Sequence, residues 1–138
     1  MTLKTLPLDI ATFLKDRGYG VLGKTSSGVE ISVAGYYEAT TNAIFLTLSG
    51  AANYNDVVSP EEGEDTKKNL QILIRNTDQQ TCFDTWESLN KLLKTTFNTT
   101  IGSTKITGFE ESFPSGLLKK MNSDYWIYVL NFIVYFEE

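Results

Sequence analysis

Tyr125-Trp-Ile-Tyr-Val-Leu-Asn-Phe-Ile-Val-Tyr-Phe136 is the stretch that decides the fold of this 138-residue chain. Eleven of its twelve residues are apolar or aromatic, and the exception is Asn131. The β-branched and aromatic content predicts a strand rather than a helix. Side chains alternate between the two faces of a strand, and here both faces are apolar. One face carries Tyr125, Ile127, Val129, Asn131, Ile133 and Tyr135, and the other carries Trp126, Tyr128, Leu130, Phe132, Val134 and Phe136.

Such a strand predicts cover on both faces. Helices can cover one face of a sheet, and the other face then needs a loop, a second sheet or a neighbouring subunit. We expect the strand to be central in its sheet. Of its two faces, we expect the one that carries Asn131 to meet a polar group or another subunit.

Length and composition describe one globular domain over residues 1–138, with 41% hydrophobic and 21% charged residues. No apolar run reaches the roughly 18 residues of a membrane span, and we expect no secretory signal. The single cysteine, Cys82, excludes an internal disulfide and a cysteine-cluster zinc site. The net charge of −5 argues against a general nucleic-acid binder.

The chain contains no histidine. Its absence removes the Ser-His and Cys-His nucleophile pairs, the imidazole general base and the commonest zinc ligand. Enzymes can work without histidine, through paired carboxylates or lysine. The composition nevertheless favours a role other than catalysis, and it predicts no cofactor and no metal.

Two helices are predicted from apolar spacing. Leu6, Ile10, Phe13 and Leu14 recur at helical intervals, which predicts a helix over Pro7–Arg17 that ends at Gly18. A second helix is predicted over Asp78–Phe97, begun by a capping box of Thr77 and Gln80. Cys82 lies on its apolar stripe, so we expect a core thiol rather than a nucleophile.

The remaining strands follow from alternation. Val29–Tyr37 and Ile44–Leu48 are predicted as an antiparallel hairpin joined by a turn at Thr40–Asn42. Leu70–Ile74 and Lys105–Glu111 are the third and fourth strands. Turns or breaks are predicted at Asn98–Gly102, Phe113–Leu118 and Lys119–Ser123. The fold class is α+β, with a mostly antiparallel or mixed sheet of about five strands and two helices packed on it.

Gly18–Thr25 matches the phosphate-loop pattern G-x-x-x-x-G-K-[ST]. In such a loop, backbone N–H groups cradle phosphates, Lys24 reaches the terminal phosphate and Thr25 binds Mg²⁺. That chemistry requires a strand before the loop and a helix after it. Here an amphipathic helix precedes the segment and a strand pattern follows it. The pattern is better explained as a helix end that runs into a glycine-rich turn.

Residues 49–68 form one long irregular segment, which in a compact domain is usually functional or disordered. We expect it to be mobile in the free protein and ordered by a partner. Its acidic cluster lacks the spacing of a calcium loop. We take the following residues as candidate interaction sites, together with Asn131: Tyr54, Asp56, Glu61, Glu62, Glu64 and Asp65.

Several segments together resemble the tail terminator proteins of tailed bacteriophages, also called tail completion or minor capsid proteins. The first are the short helix that ends at Gly18-Tyr-Gly20 and Ala43-Ile-Phe-Leu-Thr-Leu-Ser-Gly50, which leads into the long segment. Asn69-Leu-Gln-Ile-Leu-Ile-Arg75 then runs into the second helix. The last are Pro114-Ser-Gly-Leu117 and the closing Leu130-Asn-Phe-Ile-Val134. The chain departs from the family pattern in lacking a proline after the first strand and a Gly-Gly pair after the second.

The resemblance implies an α+β fold that assembles into a hexameric ring on the end of the tail tube. Such a ring stops tube polymerisation and forms the surface that joins the tail to the head or neck. The implied partners are the chain itself, the tail tube protein and a neck or head-completion protein. DNA passes through the ring without specific binding, and no membrane, catalytic residue or cofactor is implied. The implied location is the virion, with assembly in the host cytoplasm.

Two other readings stay open from the residues alone. The first is a nucleotide-binding enzyme that uses Gly18–Thr25. Saturable ATP binding that is lost in Lys24→Ala would support this reading. The second is a generic protein-binding module that grips its partner with residues 49–68. The oligomeric state separates that module from a ring protein.

Overall fold

The computed structural model describes residues 6–22, 28–33, 42–51, 66–102, 104–112, 116–120 and 125–137. These residues form two helices and eight strands that pack around one core. In chain order the elements are α1 (Leu6–Asp16), β1 (Val21–Leu22), β2 (Val29–Ser32), β3 (Asn42–Ala51), β4 (Thr66–Asn76), α2 (Gln79–Thr95), β5 (Thr99–Ile101), β6 (Thr104–Glu111), β7 (Gly116–Lys120) and β8 (Trp126–Glu137).

All eight strands belong to one mixed sheet, in which seven form a continuous path in the order β1-β2-β3-β4-β8-β6-β5. β8 lies in its middle. One side of β8 pairs along its length with β4. The other side pairs with β6 towards its C-terminal end and with β7 towards its N-terminal end. The prediction that the apolar stretch forms a central strand is confirmed.

The prediction of an antiparallel hairpin from the strands near Val29 and Ile44 is wrong. β2 and β3 pair in parallel, with Ile31 opposite Ile44. Apolar alternation reports which face a side chain takes, and it is the same for either strand direction. The predicted turn at Thr40–Asn42 lies, except for Asn42, outside the described residues.

The prediction of about five strands is also too low. β1, β5 and β7 fall on segments predicted as turns or breaks, namely Gly18–Thr25, Asn98–Gly102 and 113–123. Two of the three strands have only two or three residues, and such short strands show no period that a sequence reading can detect. The α+β class with two helices is correct.

α1 confirms the predicted first helix to within one residue at each end. Gly18 has φ of 87°, and the chain there makes the paired bonds Gly18 N–H to Lys15 C=O and Tyr19 N–H to Leu14 C=O. These bonds form a Schellman motif, which suits glycine because a side chain is strained at positive φ.

Both ends of the sheet reach α1, which contacts β1, β2 and β3 and also β5. The contact at the β5 end includes a hydrogen bond of 2.9 Å from Thr104 Oγ1 to Asp9 Oδ2. The sheet is therefore strongly curled. Its inner face holds both helices and the core, and its other face is the outer one.

α2 packs on the middle of the inner face, against β4, β6 and β8. Its N-cap is Asp78, whose Oδ2 accepts from the Thr81 N–H at 2.9 Å. The predicted capping box of Thr77 and Gln80 is thus one residue out of register, and the Thr77 N–H instead donates to Asn42 Oδ1 at 3.1 Å. Neither described helix is long and apolar enough to cross a membrane.

Candidate functional site at the outer sheet face

The two faces of β8 differ in burial. On the inner face Leu130, Phe132, Val134 and Phe136 are each 0% exposed, because α1, α2 and the curled sheet enclose them. On the outer face Asn131, Ile133 and Tyr135 are partly exposed. The helices therefore cover one face of the strand, as its sequence led us to expect, and the Asn131 face is the one that they leave uncovered.

The strand register extends the outer face across β4. The outer residues of β4, in order from Lys67 to Arg75, lie opposite those of β8 in reverse order. The pairs are Lys67 with Tyr135, Asn69 with Ile133, Gln71 with Asn131, Leu73 with Val129 and Arg75 with Ile127.

One half of this face is closed around Arg75, which is only 2% exposed. Its guanidinium lies 5.0 Å from the centroid of the Phe45 ring and 4.9 Å from that of the Tyr125 ring, so that two aromatic faces hold the cation. Glu30, 3% exposed, lies in the same cross-strand row as Arg75, on the other side of Ala43. This half is structural core.

The other half of the face is open, and we call it the outer patch: Lys67, Gln71, Glu110, Asn131, Ile133 and Tyr135. All six side chains are exposed or partly exposed. Five of them are linked in two groups. Gln71 Nε2 donates to Asn131 Oδ1 at 3.3 Å. The Tyr135 hydroxyl donates to Glu110 Oε1 at 2.9 Å, and the Lys67 ammonium lies 5.8 Å from the centre of the Tyr135 ring.

This composition is that of a protein-contact surface. It combines a tyrosine, an aliphatic residue and side-chain amides, and it carries one positive and one negative group. Among the residues that the structure describes, no group of three or more Asp, Glu, Cys or His residues is placed to hold a metal ion.

Of the candidate interaction residues predicted from sequence, the structure places Asn131 in the outer patch. Tyr54, Asp56, Glu61, Glu62, Glu64 and Asp65 lie outside the described residues. The ends of the predicted segment, 49–51 and 66–68, belong to β3 and β4 and are not irregular.

Sequence reasoning missed the partners of Asn131 within the patch. The alternation of Asn69 and Gln71 with Leu70 and Ile72 was a usable signal, because it places polar side chains on one face of β4. What it lacked was the pairing of residue 71 with residue 131.

The segment Gly18–Thr25 does not have the surroundings of a phosphate loop. Gly18 ends α1, and Val21–Leu22 is an edge strand. Lys24 and Thr25 lie outside the described residues. A phosphate-binding loop would open a helix at this point, whereas the next element described is the strand β2.

Cys82 is a buried thiol on the inner side, as predicted. Its Sγ donates to the Ile74 carbonyl at 3.2 Å. Burial raises the pKa of the thiol to about 11, because ionisation in the core would leave a charge without water. The thiol stays protonated at neutral pH and is not a nucleophile.

A model of the family described as "Bacteriophage tail terminator protein" matches residues 13–138. Among solved structures, one similar chain belongs to a structure titled "Virion of native gene transfer agent (GTA) particle", with 9% sequence identity and a TM-score of 0.49. That alignment covers 78% of each chain. A comparison with curated proteins gave no match.

Proposed function

This chain belongs to the bacteriophage tail terminator family and is a structural virion protein, not an enzyme; from that membership we propose that it forms a ring on the end of the tail tube. The ring ends polymerisation of the tube and provides the surface to which the head or neck attaches. We further propose six copies per ring, with assembly in the host cytoplasm. The neighbours in the virion are the tail tube protein and a neck or head-completion protein.

The observation that carries the proposal, beside the family, is the uneven cover of the sheet. The helices enclose the inner face, and the Arg75 stack closes half of the outer face. The outer patch is left open, with Ile133 and Tyr135 partly exposed. A sheet face of this kind suits a chain that works as part of an assembly, since contact with another protein would bury it.

Charge is consistent with a conduit for DNA. The chain carries a net charge of −5. A ring of six acidic chains repels phosphate groups, which reduces adhesion of DNA as it passes through the central hole. The ring therefore holds the tail and the neck together without reading the DNA sequence.

Electron microscopy of tail tubes tests this function. Tube protein is polymerised alone and with the purified chain, and the tube lengths and ends are measured. We expect shorter tubes of narrower length distribution, each with a ring of six-fold symmetry at one end. Bare ends and an unchanged length distribution at saturating chain concentration would refute the proposal.

A further inference from the structure

Phe97 is the most exposed large hydrophobic side chain among the described residues, at 62% exposure. It follows Thr96, the C-cap of α2, and the chain then turns into β5 through Asn98, whose φ is 49°. The Asn98 N–H donates to the Thr107 carbonyl at 3.0 Å, which fixes the end of α2 beside β6. The exposed ring is thus attached to a rigid part of the molecule.

Phe97 also adjoins the outer patch. Its Cβ lies 3.8 Å from the point that a Cβ on Gly108 would occupy. Gly108 in turn is the partner of Tyr135 in the β6–β8 register, and Tyr135 is the partner of Lys67. Phe97, Gly108, Tyr135 and Lys67 therefore follow one another across the sheet. Because Gly108 has no side chain, no side chain at position 108 lies between Phe97 and Tyr135.

The charges of the patch favour a second copy of this chain as its partner. Two copies of a chain with a net charge of −5 repel each other. In the patch, Lys67 and Glu110 both lie against Tyr135 and balance each other. A second acidic copy can therefore approach the patch at less electrostatic cost than it could approach a uniformly acidic surface. Lys67 and Glu110 can each meet an opposite charge on that copy.

We propose that the outer patch, extended by Phe97, binds a second copy of this chain, and that Phe97 is the apolar anchor of that contact. The inference rests on the proposed function, because a ring requires each copy to contact the next. In a cyclic ring the contact is head-to-tail, so the patch meets a different surface of the neighbouring copy. Aromatic anchors of this kind carry a large share of the binding energy in protein interfaces.

The test compares Phe97→Asp with Leu8→Asp. Leu8 is also an exposed hydrophobic residue, at 51%, but it lies on α1 and away from the patch. Both variants should melt at the wild-type temperature, because both positions are solvent-exposed. Self-association is measured by sedimentation velocity over a concentration series, and rings on tail tubes are counted by electron microscopy.

We expect Phe97→Asp to weaken self-association at least about tenfold and to leave tube ends without rings, with Leu8→Asp unchanged. Phe97→Leu, which keeps an apolar side chain, should retain most of the association. If Phe97→Asp forms rings as the wild type does, the inference is wrong and the proposed function stands. If the variant self-associates normally but no longer attaches to tubes, the patch binds the tube protein and the inference is again wrong. A wild-type chain that neither self-associates nor forms rings on tubes overturns both.

Discussion

Replacing Phe132 by alanine tests the assignment of the two faces of β8 most directly. Phe132 is 0% exposed and packs edge-on against Phe109, with 6.4 Å between the ring centroids. Its truncation removes most of a buried ring and leaves a cavity, which costs about 3–5 kcal/mol of unfolding free energy. The neighbouring Asn131 is partly exposed on the other face, and its side-chain bond to Gln71 is long at 3.3 Å. Asn131→Ala should therefore cost less than about 1 kcal/mol.

Urea unfolding followed by circular dichroism measures both variants. With a slope of about 2 kcal/mol per molar urea, a loss of 4 kcal/mol lowers the midpoint by about 2 M. We expect a shift of that size for Phe132→Ala and less than about 0.5 M for Asn131→Ala. Comparable shifts in the two variants would refute the assignment of an enclosed inner face and an open outer face.

Three further outcomes are expected. Burial raises the pKa of Cys82 to about 11, so the thiol should not react with a disulfide reagent at pH 8 until the chain is unfolded in urea. Rapid labelling of the folded protein would contradict the burial of Cys82. Gly102→Ala should lower the melting temperature more than Gly28→Ala. Both glycines have positive φ, but only at Gly102 would a Cβ collide with the Asp9 carboxylate. Equal decreases in melting temperature would contradict the close contact between Gly102 and Asp9. Hydrogen bonds from Thr81 hold the pKa of Asp78 below its usual value. The ionised Asp78 carboxylate therefore stabilises the folded chain at pH values above its pKa in the unfolded chain, and this stabilisation is lost as pH falls through its pKa in the folded chain. The decrease in urea midpoint between pH 7 and pH 3 should therefore be smaller in Asp78→Asn than in the wild type.

The elements that the sequence predicted correctly are those with long, regular patterns. α1, α2 and β8 have apolar periods that extend over several turns or over the whole strand, and the structure confirms all three as elements. The predicted C-terminal end of the second helix is wrong, because α2 ends at Thr95 and Phe97 lies outside it and is exposed. Strand alternation also placed Asn131 and Phe132 on opposite faces. That the Asn131 face meets a polar group or another subunit stays a prediction.

The features that the sequence did not predict depend on contacts between distant residues. The parallel pairing of β2 with β3 joins strands whose side-chain alternation would be the same in an antiparallel pair. β5 and β7 become strands because β6 and β8 offer edges to pair with. The outer patch joins residues 71 and 131, and the Arg75 stack joins residues 45, 75 and 125, so neither can be read from any one segment.

The central position of β8 constrains the order in which a newly synthesised chain can fold. β8 follows every other described strand in the sequence, yet it separates β4 from β6 in the sheet. While the ribosome is still adding residues 125–137, β1–β4 and β5–β6 are two incomplete sheets, and the residues of the outer patch have not been brought together. A nascent chain that has not yet added β8 therefore lacks the surface by which copies are proposed to join, and on that proposal it cannot enter a ring.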